Sequence, residues 1–220
     1  TGQAGQINLT APSVNLRDGV SLSGSTSGSG QGGTIVLLAQ DSLQLDNATI
    51  EATTTPGSTG NAGDIFIDPI TTTLTNSRIA LDSQGTGTGG NLQLISNSLT
   101  LDRSEISAST ASSDGGSLTL NVPELLTLQN GSIISTQAGT AGAGGNGGNI
   151  TIDSKLIVGS SNSDIIANAF EGNGGNITIN TQGLFGFTVE NTDTPRTNLT
   201  SDITASSQFG VSSTPNISQA

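Results

Sequence analysis

Apolar and polar residues alternate in short runs along this chain, and the runs recur. Gly-Gly-Asn-Ile-Thr-Ile stands at 147–152 and again at 174–179. Looser copies begin at Gly5, Gly33, Gly63, Gly90 and Gly116. The first apolar residue of each copy lies at 7, 35, 65, 92, 118, 150 and 177, in steps of 28, 30, 27, 26, 32 and 27. Apolar-polar-apolar alternation is the period of a half-buried strand. A second alternating pair follows in the first five units: Val14/Leu16, Leu43/Leu45, Thr72/Leu74, Leu99/Leu101 and Leu126/Leu128. A third pair comes next: Ile50/Ala52, Ile79/Leu81, Ile106/Ala108, Ile133/Ser135, Ile165/Ala167 and Ile203/Ala205. From Leu45 to Ile50, Leu74 to Ile79, Leu101 to Ile106 and Leu128 to Ile133 the gap is always five residues.

Three short strands per repeat predict one coil of a parallel β-helix. A single coil cannot bury its apolar stripe, but a coil stacked above and below can. The pattern therefore predicts an all-β, right-handed parallel β-helix of about seven to eight coils, with roughly 27–30 residues and three strands in each. At about 4.8 Å per rung, seven coils span roughly 30 Å. Residues 1–183 read as regular coils. Residues 184–220 read as a looser terminal coil and cut end, with Phe209 packing near the end of the stack and the next coil beginning after Ser212.

The turns carry a further pattern. Asn47, Asn76 and Asn130 share one place between second and third strands, with Arg103 interrupting the series. Asn121, Asp153 and Asn180 share another, just after the first strand. Stacked amides can bond along the axis as a ladder, and Asn is also an ordinary turn residue; both readings fit. The connections from third to first strand vary most and are rich in Gly, Ser, Thr and Ala. They lack the aromatics and Arg that mark binding hot spots, so they read as solvated padding along one edge.

Composition narrows the core. The chain holds five Phe and no Trp or Tyr, so it must bury small aliphatics in a thin interior. With 31 Gly but 6 Pro, neither collagen nor a polyproline rod fits. Net charge is −12, which repels phosphate backbones and anionic membranes, so neither nucleic acid nor membrane insertion is expected. Cys and His are both absent, which removes thiolate chemistry and the usual zinc ligands. No cofactor is expected.

Several motifs invite chemistry. Gly28–Gly33 and Gly142–Gly147 fit GxGxxG, but a dinucleotide site needs a helix next, and strand alternation follows both. Gly144–Asn149 resembles a calcium-binding nonapeptide but lacks its Asp and its period. Asp164 and Asp202 each precede the first inward residue of a third strand. In adjacent coils they could hold a hard cation or mimic a retaining glycosidase pair; the plainer reading is two solvated turn carboxylates. Arg78 and Glu105 read as a surface ion pair. Thr73, Thr100 and Thr127 align outward, with Ile157 ending that row.

The Gly-Gly-Asn-Ile-Thr-Ile phrase, the Asn-Ser-x-Ile-x-Ala pattern and Ser201-Asp202-Ile203-Thr204-Ala205-Ser206-Ser207-Gln208-Phe209-Gly210 together resemble filamentous-haemagglutinin-like large exoproteins of two-partner secretion systems, especially cyanobacterial ones. The resemblance covers nearly the whole chain, and its motifs are structural. It implies a secreted or cell-surface protein whose parent is exported through an outer-membrane transporter partner. The expectation is a non-catalytic, structural or adhesive rod segment that can meet a surface glycan or protein and can associate end to end. The alternative is a carbohydrate-binding or polysaccharide-cleaving β-helix domain.

Overall fold

The computed structural model describes residues 2–219. They form a parallel β-solenoid with no α-helix among them; one short 3-10 turn, Pro195–Thr197, lies in the seventh coil. First strands begin at Gln6, Thr34, Ile65, Asn91, Ser117, Asn149, Asn176 and Asn216. Each pairs in parallel with the next, so these starts number coils one to seven and the opening of an eighth. Ile7, Ile35, Ile65, Leu92, Leu118, Ile150 and Ile177 stand directly opposite one another, in the register that the repeat predicts.

The second strands form a second column, and in four coils they are continuous with the first. Gln6–Arg17, Thr34–Asp46, Ser117–Gln129 and Asn149–Gly159 each run through both columns, so the two faces join into one eleven-stranded sheet. The seven third strands stack separately and, with Phe187–Val189 added beyond the last, make an eight-stranded sheet. Between the faces lies a thin aliphatic core. In coil four, Leu92, Leu94, Leu99, Leu101 and Ile106 are all at most 2% exposed. Each such side chain contributes about 1.5–3 kcal/mol by leaving water, and the neighbouring coils supply the cover.

Two register predictions fail by one residue. Ile134, not Ile133, pairs with Ile106 and is fully buried. The turn before it, Asn130-Gly131, has two consecutive residues at positive φ, and the extra residue moves the inward position by one. The gap from Leu128 is therefore six residues. Likewise Thr127 stands opposite Val158, while Ile157 is buried against Leu126. The strand Ser117–Gln129 carries a bulge between Val122 and Leu125, which an alternation pattern cannot see.

A glycine column sets how closely the coils approach. Gly33, Gly63, Gly90, Gly116, Gly148 and Gly175 enter successive first strands, and a Cβ on any of them would overlap the carbonyl oxygen of the corresponding glycine one coil earlier. The variable connections are ordered as well. Thr26, Thr54, Ser83 and Thr110 form successive parallel bridges. The Asn146 N–H donates to Asp114 Oδ1, Asn173 N–H to Asn146 Oδ1, and Val211 N–H to Asn173 Oδ1. These loops are hydrogen-bonded rungs rather than padding. Phe209 meets Phe170 edge-on at 5.0 Å but stays 67% exposed.

Candidate functional sites

The corner between second and third strands is built from left-handed turn residues. Asn47, Asn76, Arg103 and Asn130 have φ between 46° and 57°, a conformation that Asn adopts at low cost. Arg103 takes the same place and joins the series: its Nε donates to Asn76 Oδ1 at 2.8 Å, and Asn130 Nδ2 donates to Asp102 Oδ1 at 2.9 Å. The Asn residues thus form a stacked row of turns tied by mixed partners, with no Asn-to-Asn side-chain bond in that row among the described residues. In the other row, Asn121, Asp153 and Asn180 stand opposite one another, and Asn180 Nδ2 donates to Asp153 Oδ1 at 2.6 Å. An open groove of about 430 Å³ follows the corner past Asn47, Asn76, Arg78 and Arg103.

Beneath these turns runs a buried serine ladder that the sequence reading did not single out. Ser77, Ser104, Ser132, Ser163 and Ser201 are each 5% exposed or less. Each hydroxyl oxygen accepts the N–H of the equivalent residue one coil earlier, at 3.0–3.2 Å. Four of the hydroxyls donate in turn to a carbonyl of their own turn, at 2.7–2.8 Å. The signal was present as Ser two residues before each inward Ile of the third strand.

Arg78 and Glu105 are paired as expected, Nε to Oε2 at 3.1 Å, and both are more than a third exposed. A third member was missed: Asp82 also binds the Arg78 guanidinium and accepts from Ser107 Oγ and Ser109 N–H. Burial lowers the Arg78 pKa, but the charges of Asp82 and Glu105 more than compensate, so it lies above the ordinary arginine value.

Asp164 and Asp202 do lie in adjacent coils, but they are not solvated: both are 0% exposed. Asp164 Oδ1 accepts the Asp202 N–H at 2.8 Å, and its Oδ2 accepts Arg196 Nη1 at 2.7 Å. Asp202 is held by Asn198 Nδ2 and Thr200 Oγ1. The side-chain donors, Arg196, Asn198 and Thr200, all come from the excursion at 187–200. That segment first adds Phe187–Val189 as an extra parallel strand beyond Ser201–Thr204. It then comes back along the corner, where Arg196 also reaches the carbonyls of Asn162 and Gly131. Gly159 takes the inward place that Leu128 holds one coil earlier, and the Phe187 ring lies against it. The two carboxylates therefore anchor a clamp, and their oxygens are used within the protein.

The two GxGxxG stretches lead into the strands Thr34–Asp46 and Asn149–Gly159, as read from the alternation. Among the described residues no group of three or more Asp and Glu is placed to hold a metal ion. Among the described residues no helix is long and apolar enough to cross a membrane. No protein-family model matches the chain, and no curated protein or solved structure matches it either. What the fold defines is a parallel β-solenoid.

Proposed function

We propose that this chain is a rod segment of a secreted or surface-exposed exoprotein, structural or adhesive rather than catalytic. The unbroken first-strand column carries the reading. Eight rungs keep one register across loops of unequal length, so the sequence is organised to extend a surface rather than to enclose a pocket. The repeated Gly-Gly-Asn-Ile-Thr-Ile phrase and the Ser201–Gly210 string support the narrower proposal of a filamentous-haemagglutinin-like exoprotein, exported in its parent chain through an outer-membrane transporter. A polysaccharide-cleaving alternative built on Asp164 and Asp202 is not favoured, because that pair is already engaged by Arg196, Asn198 and Thr200.

The test is location. Antibody raised against the folded chain should label intact cells of the encoding organism or detect the protein in the medium, and external protease should remove the cell-bound signal. Signal that appears only after lysis would sink the proposal.

A further inference from the structure

The outward side of the first-strand column is mostly polar: Asn8, Gln93, Thr119, Thr151 and Thr178 occupy one row along it. Two members of that row are apolar, Val36 and Phe66, and they are neighbours. Phe66 is part-exposed on the strand Ile65–Ile67, and Gln93 stands opposite it in the next coil. Beside it, Asn91 donates both its N–H and its Nδ2 to Asp64 Oδ1, at 3.1 and 2.9 Å. That fixes the carboxylate and leaves Oδ2 without a side-chain partner among the described residues. Phe66, Asp64, Asn91 and Gln93 line one groove of about 490 Å³. A second, of about 500 Å³, lies past Leu38, Asp68 and Ile70, at the far end of the first strands.

We propose that Phe66 and its polar rim form a binding subsite for a neutral oligosaccharide laid across coils two to four. The ring offers an apolar face for the C–H side of a pyranose. Asp64 Oδ2 accepts from hydroxyls, and the Gln93 amide both donates and accepts. The charge pattern selects the class of glycan. Asp64 and Asp68 lie along the grooves, and none of the chain's five cations, Arg17, Arg78, Arg103, Lys155 and Arg196, lines either of them. An acidic glycan would meet like charge there without a cation to pair it. An open, flat site suits a chain that runs along the sheet rather than a single enclosed sugar. The subsite deepens the display-surface reading above, yet it is tested separately, because cellular location says nothing about the groove.

The experiment titrates the full chain with neutral gluco-, manno- and galacto-configured hexasaccharides and with hexagalacturonate, read by saturation-transfer NMR and calorimetry. Binding of at least one neutral hexamer is expected, with none of the acidic one. Phe66→Ala should weaken it roughly tenfold, an effect of the size of a lost aromatic stacking contact. Gln93→Ala, which removes no buried group, guards against a folding artefact and should weaken it by a smaller factor. Circular dichroism should be unchanged in both. No neutral hexamer binding at millimolar concentration, preference for the acidic hexamer, or binding indifferent to both substitutions would each overturn the subsite. So would a Phe66-dependent interaction with a sugar-free protein surface in place of any glycan. None of these results bears on the rod reading.

Discussion

Two versions of the same corner sit in this molecule. In coils three to six the passage from second to third strand is closed cheaply. One residue in coils three and four, and two in coils five and six, turn through positive φ, and one serine hydroxyl per rung binds the backbone N–H of the coil before it. In coil seven the serine is still there, Ser201, but the chain reaches it only after the detour at 187–200, and the corner is held by Arg196, Asp164, Asn198 and Asp202. A neutral hydroxyl on a short side chain is satisfied by two backbone partners and repeats without limit. A buried carboxylate needs a charged donor delivered from elsewhere in the chain. The difference teaches that the repeat handles its own corners locally, whereas an interruption of the repeat must be tied down by long-range charge.

The largest expected effect comes from breaking the second version. Arg196→Met would leave Asp164 buried without its cation and cost about 3 kcal/mol, the lower end for a broken buried pair because the arginine is itself part-exposed. Urea unfolding should show the loss, and adding Asp164→Asn should recover most of it. If the single variant melts like the parent, the clamp contributes nothing. The first version predicts a smaller effect. Ser132→Ala orphans the Ser104 N–H, removes one of the two donors to the Gln129 carbonyl, which keeps the Arg103 N–H, and should cost about 2 kcal/mol. Ala48 is a natural control, because the coil below it ends its turn with Val20 N–H bonding to Arg17 O. Ala48→Ser should therefore change stability far less than Ser132→Ala, and equal effects would refute a hydroxyl-specific ladder. Smallest is the turn itself. Asn76→Ala at φ 46° should cost about 1 kcal/mol while Asn76→Gly costs less; the order of their melting temperatures checks this.

The parts of this structure that were legible in the sequence are those that repeat. Seven first strands fell into register because Ile and Leu recur there beside an obligatory glycine. Where the period slipped by one residue, at Gly131 and at the bulge before Leu125, alternation alone pointed to the wrong isoleucine, since inward and outward positions differ by a single step. Arg78 and Glu105 were found because they are neighbours across adjacent coils. Asp82 was missed because it reaches Arg78 from four residues further along its own chain. Asp164 and Asp202 showed in the sequence as equivalent positions of two third strands, yet their burial was hidden, because the residues that cover them come from an excursion with no repeat to align. The serine ladder was visible only as a recurring Ser before Ile; nothing local shows that its hydroxyl answers a backbone group in another coil.

The extra strand Phe187–Val189 has a consequence for the order of assembly. A solenoid can grow by laying each coil on the last, so that chain order and stacking order coincide. Here they part. Phe187 pairs with Ser201, which follows it in the chain but precedes it in the stack. As the chain emerges from its amino end, this segment has no template to join until the residues beyond it have already docked. A folding front moving along the rod must pass over 187–200, set down Ser201–Thr204, and only then return for the piece it left behind.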